Sequence, residues 1–389
     1  MLGKLFILSM LFTQLSAMQF NSNFALCLVE HKYNQNHVVS ERSDMCSLFN
    51  GKLNEECMTY VLDTSYANNV NECNKYVNLR PDTHFNHFTS FIVDFEKRYS
   101  SIENLVDRFY IFKDNLKYIE TVNTQNNTYQ LGVTRFTDIT NDEYRELLTR
   151  KTVGLPKNYC TDKTYPTSSP YTASVDWRLK NAVTPVKDQG QCGSCWAFST
   201  TGAVEGIYAI KSGKLTSFSE EQLVECAQSY GNHGCNGGLM QYAFSYVMDN
   251  GLTTESAYPY TSGTGSSGTC KAFTPVTKLS SCYNVPANEL QLTYANQNQP
   301  VSISIEADAK SFQLYKSGVY NDPACGTTLD HGVLTVGYGS TGGQNYWIVK
   351  NSWGTGWGDN GYIYIARNSV ASSTKGICGI AMDASYPGL

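Results

Sequence analysis

The sequence predicts an α+β fold in which a helical half and a strand-rich half of one domain face each other across a cleft. Two observations carry this. From about residue 175 the chain first reads mostly helical, as at Cys195 to Ile210, with apolar Trp196, Ala203, Val204, Ile207 and Ile210. Later it reads as strands, in Val301–Ile305, Val333–Val336, Tyr346–Val349 and Tyr362–Ile365. A third observation adds a separate helical segment over 85–150. There Phe88, Phe91, Phe95, Leu105, Phe109, Phe112, Leu116 and Ile119 recur at mostly three- and four-residue steps among Lys, Glu and Asp.

The 389 residues suffice for two or three domains, and 41% hydrophobic against 16% charged residues predicts packed cores. A net charge of −5 without a basic run excludes nucleic acid as the main partner. Lys4, the mostly apolar run Leu5 to Phe12, and then Ser16 and Ala17 form a secretory signal peptide over 1–17, with cleavage expected after Ala17. No later segment approaches eighteen unbroken apolar residues, so no membrane partner is expected. The secretory pathway is oxidising and lets disulfides persist.

Residues 18–84 are an Asn-rich extension of unknown role with Cys27, Cys46, Cys57 and Cys73. A zinc site is the alternative there, with His31, His37, His84 and His87 nearby. The spacings fit no finger pattern, and the oxidising compartment favours disulfides. Residues 154–174 carry Pro156, Pro166 and Pro170 among Ser and Thr, the composition of an extended linker. Thirteen cysteines is an odd number, so at least one thiol remains after any complete intramolecular pairing.

The most informative segment is Gln189-Gly-Gln-Cys192-Gly-Ser-Cys195-Trp196. Cys-x-x-Cys can be a redox pair, making the protein a thiol-disulfide oxidoreductase. It can equally be one structural cysteine beside one nucleophile. Cys-Gly-Ser-Cys-Trp favours the second, because it resembles the signature of papain-like proteases, in which a His and an Asn lie roughly 130–150 residues downstream. His331 lies 136 residues after Cys195, and Asn351 lies 156 after it, slightly beyond that range. Amide hydrolysis needs a nucleophile, a general acid/base and donors for the developing oxyanion. A thiol at a helix start gains from the dipole and from a nearby imidazolium. Only His233 and His331 lie in the compact domain, and His233 sits in a Gly-rich loop where exposure is expected.

From Val175 onward the sequence resembles a papain/cathepsin L-like cysteine peptidase. The resemblance rests on Asp176-Trp177-Arg178, Gln189 to Ser199, Gly234-Cys-Asn-Gly-Gly238, Asp330-His331-Gly332 and Asn351-Ser-Trp353-Gly-x-Gly-Trp357-Gly358. It implies a papain-like two-subdomain fold, with a helical half and a β-barrel-like half, over 171–389. It implies Cys195 as nucleophile, His331 as proton shuttle, Asn351 as its orienting group and Gln189 in the oxyanion hole. Substrate would be bound by Gly237, Gly238, Leu239, Met240, Ser304, Gly332 and Trp353. Asp383, five residues after Cys378, would floor the pocket for the second side chain before the cut (S2), where it could pair with Arg. The alternative is an Asp383 turned outward into solvent.

The resemblance also implies the disulfides Cys192–Cys235, Cys226–Cys270 and Cys325–Cys378. Cys282 is then read most simply as a buried small hydrophobe, and Cys160 stays unmatched; a Cys160–Cys282 bridge is the alternative. Residues 85–170 resemble the inhibitory helical propeptide of the same family. Arg108-x-x-Ile111-Phe112-x-x-Asn115-x-x-x-Ile119 and Gly132-x-Thr134-x-Phe136-x-Asp138 carry this. Asn104 stands where the motif has a Glu partner for Arg108. By this resemblance the propeptide covers the cleft in cis, with the linker across Cys195. Asn126-Asn-Thr128 is a glycosylation sequon in this region. No inserted loop blocks the primed end of the cleft, so an endopeptidase is expected. Its partners would be polypeptide substrates, its own propeptide and cystatin-like inhibitors, and it would act as a monomer. No metal or organic cofactor is implied. The destination would be extracellular or a lysosome- or vacuole-like compartment.

Overall fold

The computed structural model describes residues 84–99, 102–148, 160–166, 170–367 and 375–389. The expected signal peptide and the four cysteines of the extension lie outside the described residues. So do 149–159 and 167–169, which hold nine of the 21 residues of the linker expected across Cys195. The chain divides into two compact units. Among the described residues, one comprises those from 84 up to Tyr118 with Thr137–Ile139, and the other Ile119–Phe136 with those from Thr140 to Leu389.

In the first unit, α1 (His84–Asp94) and the start of α2 (Ile102–Asn123) meet through aromatic rings. Phe88 packs on Phe91, Tyr99, Phe109 and Phe112 with centroids 5.3–6.1 Å apart. All five are buried, the outcome of apolar residues three and four apart on facing helices. Asp138 is tied in by Lys97 Nζ at 2.7 Å and by the Tyr99 hydroxyl at 2.9 Å. Arg108 donates to the backbone carbonyl of Asp138 at 3.2 Å.

The second unit is built on a mixed sheet. Its strands are β1 (Tyr129–Leu131), β2 (Thr161–Asp162), β3 (Val175–Asp176), β4 (Ser281–Val285), β5 (Val301–Ile305), β6 (Tyr315–Tyr320), β7 (His331–Thr341), β8 (Gln344–Lys350), β9 (Tyr362–Ala366) and β10 (Ala384–Gly388). They run in the order β1-β6-β9-β8-β7-β5-β10-β4-β2, and β3 pairs with β7. Between β1 and β2 lies α3 (Asn141–Glu146), started by a capping box between Thr140 and Glu143.

The helical half holds α4 (Cys195–Ser212), α5 (Glu220–Cys226) and α6 (Met240–Asn250); α7 (Glu289–Asn296) and α8 (Lys310–Gln313) sit among the later strands. Helix α4 is buried from Trp196 through Ile207, as a helix in the middle of a unit should be. Two glycines let it lie close to the sheet. A Cβ at Gly202 would come within 2.7 Å of the Leu334 side chain, and one at Gly206 within 2.6 Å of Pro300. Ser199 Oγ donates to Val333 O at 2.7 Å, and Ser302 Oγ donates to Ser199 O at 2.8 Å, so the two halves are stitched by buried hydrogen bonds. Gly213 in the left-handed conformation ends α4.

Four disulfides are present among the described residues: Cys192–Cys235, Cys226–Cys270, Cys325–Cys378 and Cys160–Cys282. The last corrects the expectation that Cys282 is a buried thiol. Strand β2 lies parallel to β4, which brings the linker cysteine beside Cys282. Pairing across 122 residues leaves no local spacing signal to read.

Candidate active site

Cys195 opens α4, where the first N–H groups have no intrahelical acceptor and the dipole is positive. It is half-buried and is the one described cysteine outside a disulfide. Its neighbour Cys192 is bridged to Cys235. A Cys192/Cys195 redox pair therefore does not exist in this structure.

His331 opens β7 in register with Ile305, and Gly332 pairs with Ser304. Gly332 faces the start of α4: a Cβ there would lie 3.4 Å from the carbonyl carbon of Cys195 and 3.3 Å from the nitrogen of Trp196. This close approach seats the His331 strand against the helix that begins at Cys195. His331 Nε2 and Asn351 Oδ1 are 2.8 Å apart. An amide oxygen only accepts, so Nε2 carries the proton and Nδ1 is left as the basic nitrogen. Asn351 Oδ1 also accepts from the Ser352 N–H at 2.8 Å, which fixes the amide's orientation.

Trp353 stacks on the imidazole with centroids 4.5 Å apart and planes 20° apart. Trp357 meets Trp353 edge-on at 4.9 Å. Both indoles are buried, so they keep water from the His331–Asn351 hydrogen bond. Burial pushes the His331 imidazole down to about 4, with the Asn351 hydrogen bond pulling the other way. The ring therefore rests neutral, the state that can accept a proton from a thiol.

Gln189 is buried. Its Oε1 accepts from Ser352 Oγ at 2.7 Å, and its Nε2 donates to Cys192 O at 2.9 Å. An amide NH₂ carries two protons, so one donor remains for an incoming oxyanion. Ser352, which sequence reasoning passed over, thus holds both Asn351 and Gln189 in place.

The residues expected to bind substrate fall into two groups. The Leu239 N–H donates to Asn232 Oδ1 at 2.8 Å, fixing the Gly237-Gly238 turn ahead of α6. A Cβ at Gly238 would strike Asn232 and come 2.9 Å from the Trp196 ring, so only glycine fits this approach. Met240 is buried with its sulfur 3.2 Å from the position of a Gly332 Cβ. Asp383 turns toward the same place. Its Oδ1 accepts from Gln241 Nε2 at 2.7 Å and its Oδ2 from Ser304 Oγ at 2.7 Å. Gln241 was not anticipated, since a polar residue in the first turn of a helix ordinarily reads as surface.

A second polar cluster went unread for the same reason. Lys187 Nζ lies 2.9 Å from Glu205 and 2.6 Å from Glu220, beneath α4. Lys350, next to Asn351, donates to Thr184 Oγ1 at 3.0 Å, and Thr184 donates to Glu205 at 2.6 Å. Burial pushes the Glu220 carboxyl up to about 7 against the pull of Lys187. Burial likewise lowers Lys350 to about 8, although Glu205 opposes it. Among the described residues no group of three or more His, Cys, Asp and Glu could hold a metal ion.

A thiol at a helix start, an imidazole held by a shielded amide and an amide donor beside them are the parts of a thiol-dependent acyl-transfer centre. Comparison with known proteins places the chain further. Residues 171–388 match the papain family cysteine protease model, and residues 88–144 match the cathepsin propeptide inhibitor domain. The chain belongs to the papain family of cysteine proteases and carries that family's propeptide inhibitor domain.

Among similar proteins, "Probable cysteine protease RD21C" of Arabidopsis thaliana is 48% identical over 306 residues, 77% of this chain and 67% of that protein. "Probable cysteine protease RD21B" of the same plant is 51% identical over 290 residues, 72% of this chain and 60% of its own length. The chain thus spans about three fifths to two thirds of these two relatives. Among solved structures, digestive procathepsin L 3 of Tenebrio molitor larval midgut superposes with a TM-score of 0.71 at 43% identity, over 79% of this chain and all of that one. Recombinant stem bromelain precursor gives 0.73 at 40% identity, over 79% and 99%.

Proposed function

We propose that the protein is a cysteine endopeptidase made as a zymogen, and that it hydrolyses peptide bonds through an acyl-enzyme. The observation that carries this reading is the buried His331–Asn351 hydrogen bond at the strand seated against the start of α4. Nδ1 of His331 takes the proton of the Cys195 thiol as Sγ attacks the scissile carbonyl. The oxyanion is steadied by the second Nε2 proton of Gln189 and by the Cys195 backbone N–H. His331 then gives its proton to the leaving amine, and the thioester is hydrolysed by water activated on the same imidazole. Hydrolysis of a peptidyl fluorogenic amide, blocked by a thiol-alkylating epoxide, tests this reading. An oxidoreductase or a binding protein that kept only the fold would give no such activity.

The propeptide acts in cis. Within the second unit Phe136 meets Trp353 edge-on at 5.2 Å, and Tyr144 meets the same indole at 5.8 Å. Strand β1 pairs antiparallel with β6, and Thr134 Oγ1 donates to Gln313 O at 3.1 Å. These contacts occupy the Trp353 side of the site, which supports inhibition there by residues 129–144. The resemblance alone reads the propeptide as 85–170 and the peptidase as 171–389, with the substrate contacts named above; the Cys160–Cys282 bridge moves that boundary, as argued below.

S2 accepts Arg as well as Leu or Phe. The Asp383 carboxylate accepts from Ser304 and Gln241 beside Met240, which supports its place at the floor of that pocket. A guanidinium could lay its methylenes along Leu239 and Met240 and pair with Asp383. We place the enzyme on the secretory route, in an extracellular or lysosome- or vacuole-like compartment, as a monomer open to cystatin-like inhibitors. The four disulfides support that route. No described helix is long and apolar enough to cross a membrane.

A further inference from the structure

Cys160–Cys282 ties a stretch that precedes the papain-family match, which begins at residue 171, to a strand inside it. Both cysteines are buried. The residues after Cys160 are built into the peptidase sheet. Strand β2 pairs in parallel with β4, Thr161 opposite Tyr283 and Asp162 opposite Asn284. The Lys163 N–H donates to Asn284 O at 2.9 Å, and Asn284 Nδ2 donates to Cys160 O at 3.2 Å and to Asp162 Oδ1 at 3.0 Å. Gln291 brackets Tyr165 through both backbone groups, at 2.7 and 3.0 Å. The Tyr165 hydroxyl lies 2.6 Å from that of Tyr386, and its ring stacks on Tyr294. Residues 160–166 therefore cover the outer edge of the sheet at β4, an edge that would otherwise present unpaired backbone groups.

We infer that the Cys160–Cys282 bridge makes residues 160–166 a permanent strand of the mature peptidase, so that the activating cut falls before Cys160 rather than near residue 170. The reasoning is one of connectivity. A cut after Cys160 leaves the whole propeptide attached to the enzyme through the bridge. Only eleven residues separate Leu148 from Cys160. A tether that short holds the inhibitor at an effective concentration on the order of millimolar, so the cut chain rebinds its own propeptide. A cut before Cys160 hydrolyses one peptide bond, needs no reductant, and lets the propeptide diffuse away. The inference rests on the zymogen reading, which is checked separately by the activity of the uncut chain.

The test begins with full-length protein activated at acid pH without added thiol. The mass and N-terminus of the active species are measured before and after reduction. We expect a chain that starts upstream of Cys160, with the same mass in both conditions apart from the disulfide hydrogens. An active species starting at 161–175 with no peptide held by a disulfide overturns the inference, and so does one that still carries the propeptide on the bridge. A second arm places a foreign-protease site between Pro166 and Pro170. Cutting there should leave the otherwise native zymogen at least about tenfold less active than the same cut in Cys160→Ser/Cys282→Ala. Equal activity in the two overturns it. Should the double variant fail to fold, the mass measurement on the native chain still decides. An uncut chain that is already active refutes the zymogen reading instead, which the unreduced, uncut control shows directly.

Discussion

Asn351 Oδ1 accepts from Nε2 of His331 across 2.8 Å, and both side chains are buried. That single contact sets the imidazole tautomer and turns Nδ1 into the base. Replacing Asn351 with Ala should leave the ring free to flip. A lost buried hydrogen bond of about 1–3 kcal/mol predicts a fall in kcat/KM of roughly tenfold to a hundredfold. Steady-state kinetics with one fluorogenic amide checks this, and an unchanged kcat/KM would remove Asn351 from the mechanism.

Cys195→Ser should abolish amidase activity while the protein stays folded, because a serine hydroxyl is a far weaker acid than a thiol and is not ionised by the same pair. Cys192→Ser should instead cost stability, on the order of 2–5 kcal/mol, by opening the bridge to Cys235. Thermal midpoints and turnover measured on both variants separate the nucleophile from the structural cysteine.

Phe136→Ala should weaken inhibition. The ring is buried against Trp353, and truncating a packed Phe costs roughly 3–5 kcal/mol when the site does not collapse. The full-length variant is expected to show higher residual activity at neutral pH and faster activation on acidification. A zymogen as silent as the native one would show that the grip lies elsewhere.

Specificity offers a sharper test. A well-made pair between Asp383 and a substrate guanidinium is worth roughly 1.5–3 kcal/mol. Asp383→Ala should therefore lower kcat/KM for an Arg-Arg amide by about tenfold or more relative to the matched Phe-Arg amide. An unchanged ratio between the two substrates would sink the proposal.

Acid should stabilise the second unit. Burial raises Glu220 and Asp330 to about 7, so folding takes up protons on both between the ordinary carboxylate range and neutrality. Their contribution is fully present below about pH 4 and is lost as pH rises through about 7. His331, held near 4, works the other way: its contribution is present above about 6.5 and is lost as pH falls toward 4. Lys350, lowered to about 8, joins His331 only near the top of this interval, so the two raised carboxylates prevail and the unfolding midpoint of the Cys195→Ser zymogen should be higher at pH 5.5 than at pH 7.5. Glu220→Gln should flatten that dependence. A midpoint that rises with pH over this interval contradicts the burial argument.

Elements whose own residues carry the pattern were legible in the sequence. Val301–Ile305 alternates β-branched residues with serine, is buried throughout and appears as β5, and the helix read from Cys195 appears as α4, two residues longer. Strands β4, β6 and β10 escaped because polar and special residues interrupt them. Pro387 sits within β10 and Gly318 within β6, positions that local pattern reads as turns. The helical reading of 85–150 likewise missed β1, which exists because β6 is there to pair with it. In the site, Cys195, His331 and Asn351 were visible through their spacing and flanking motifs. Gln241, Ser352 and the Lys187–Glu205–Glu220 cluster were not, since a buried polar side chain looks like a surface one until its partners are known. The Cys160–Cys282 bridge was the lesser alternative in the sequence and became the observed pairing once β2 lay beside β4.

The most direct test of the central claim is stoichiometric labelling of the activated enzyme with a peptidyl epoxide, followed by peptide mapping. The account predicts one label per molecule, on Cys195 Sγ, with amidase activity falling in proportion to label incorporated. Activity that survives full labelling of Cys195, or a label that silences the enzyme from any other residue, would contradict it.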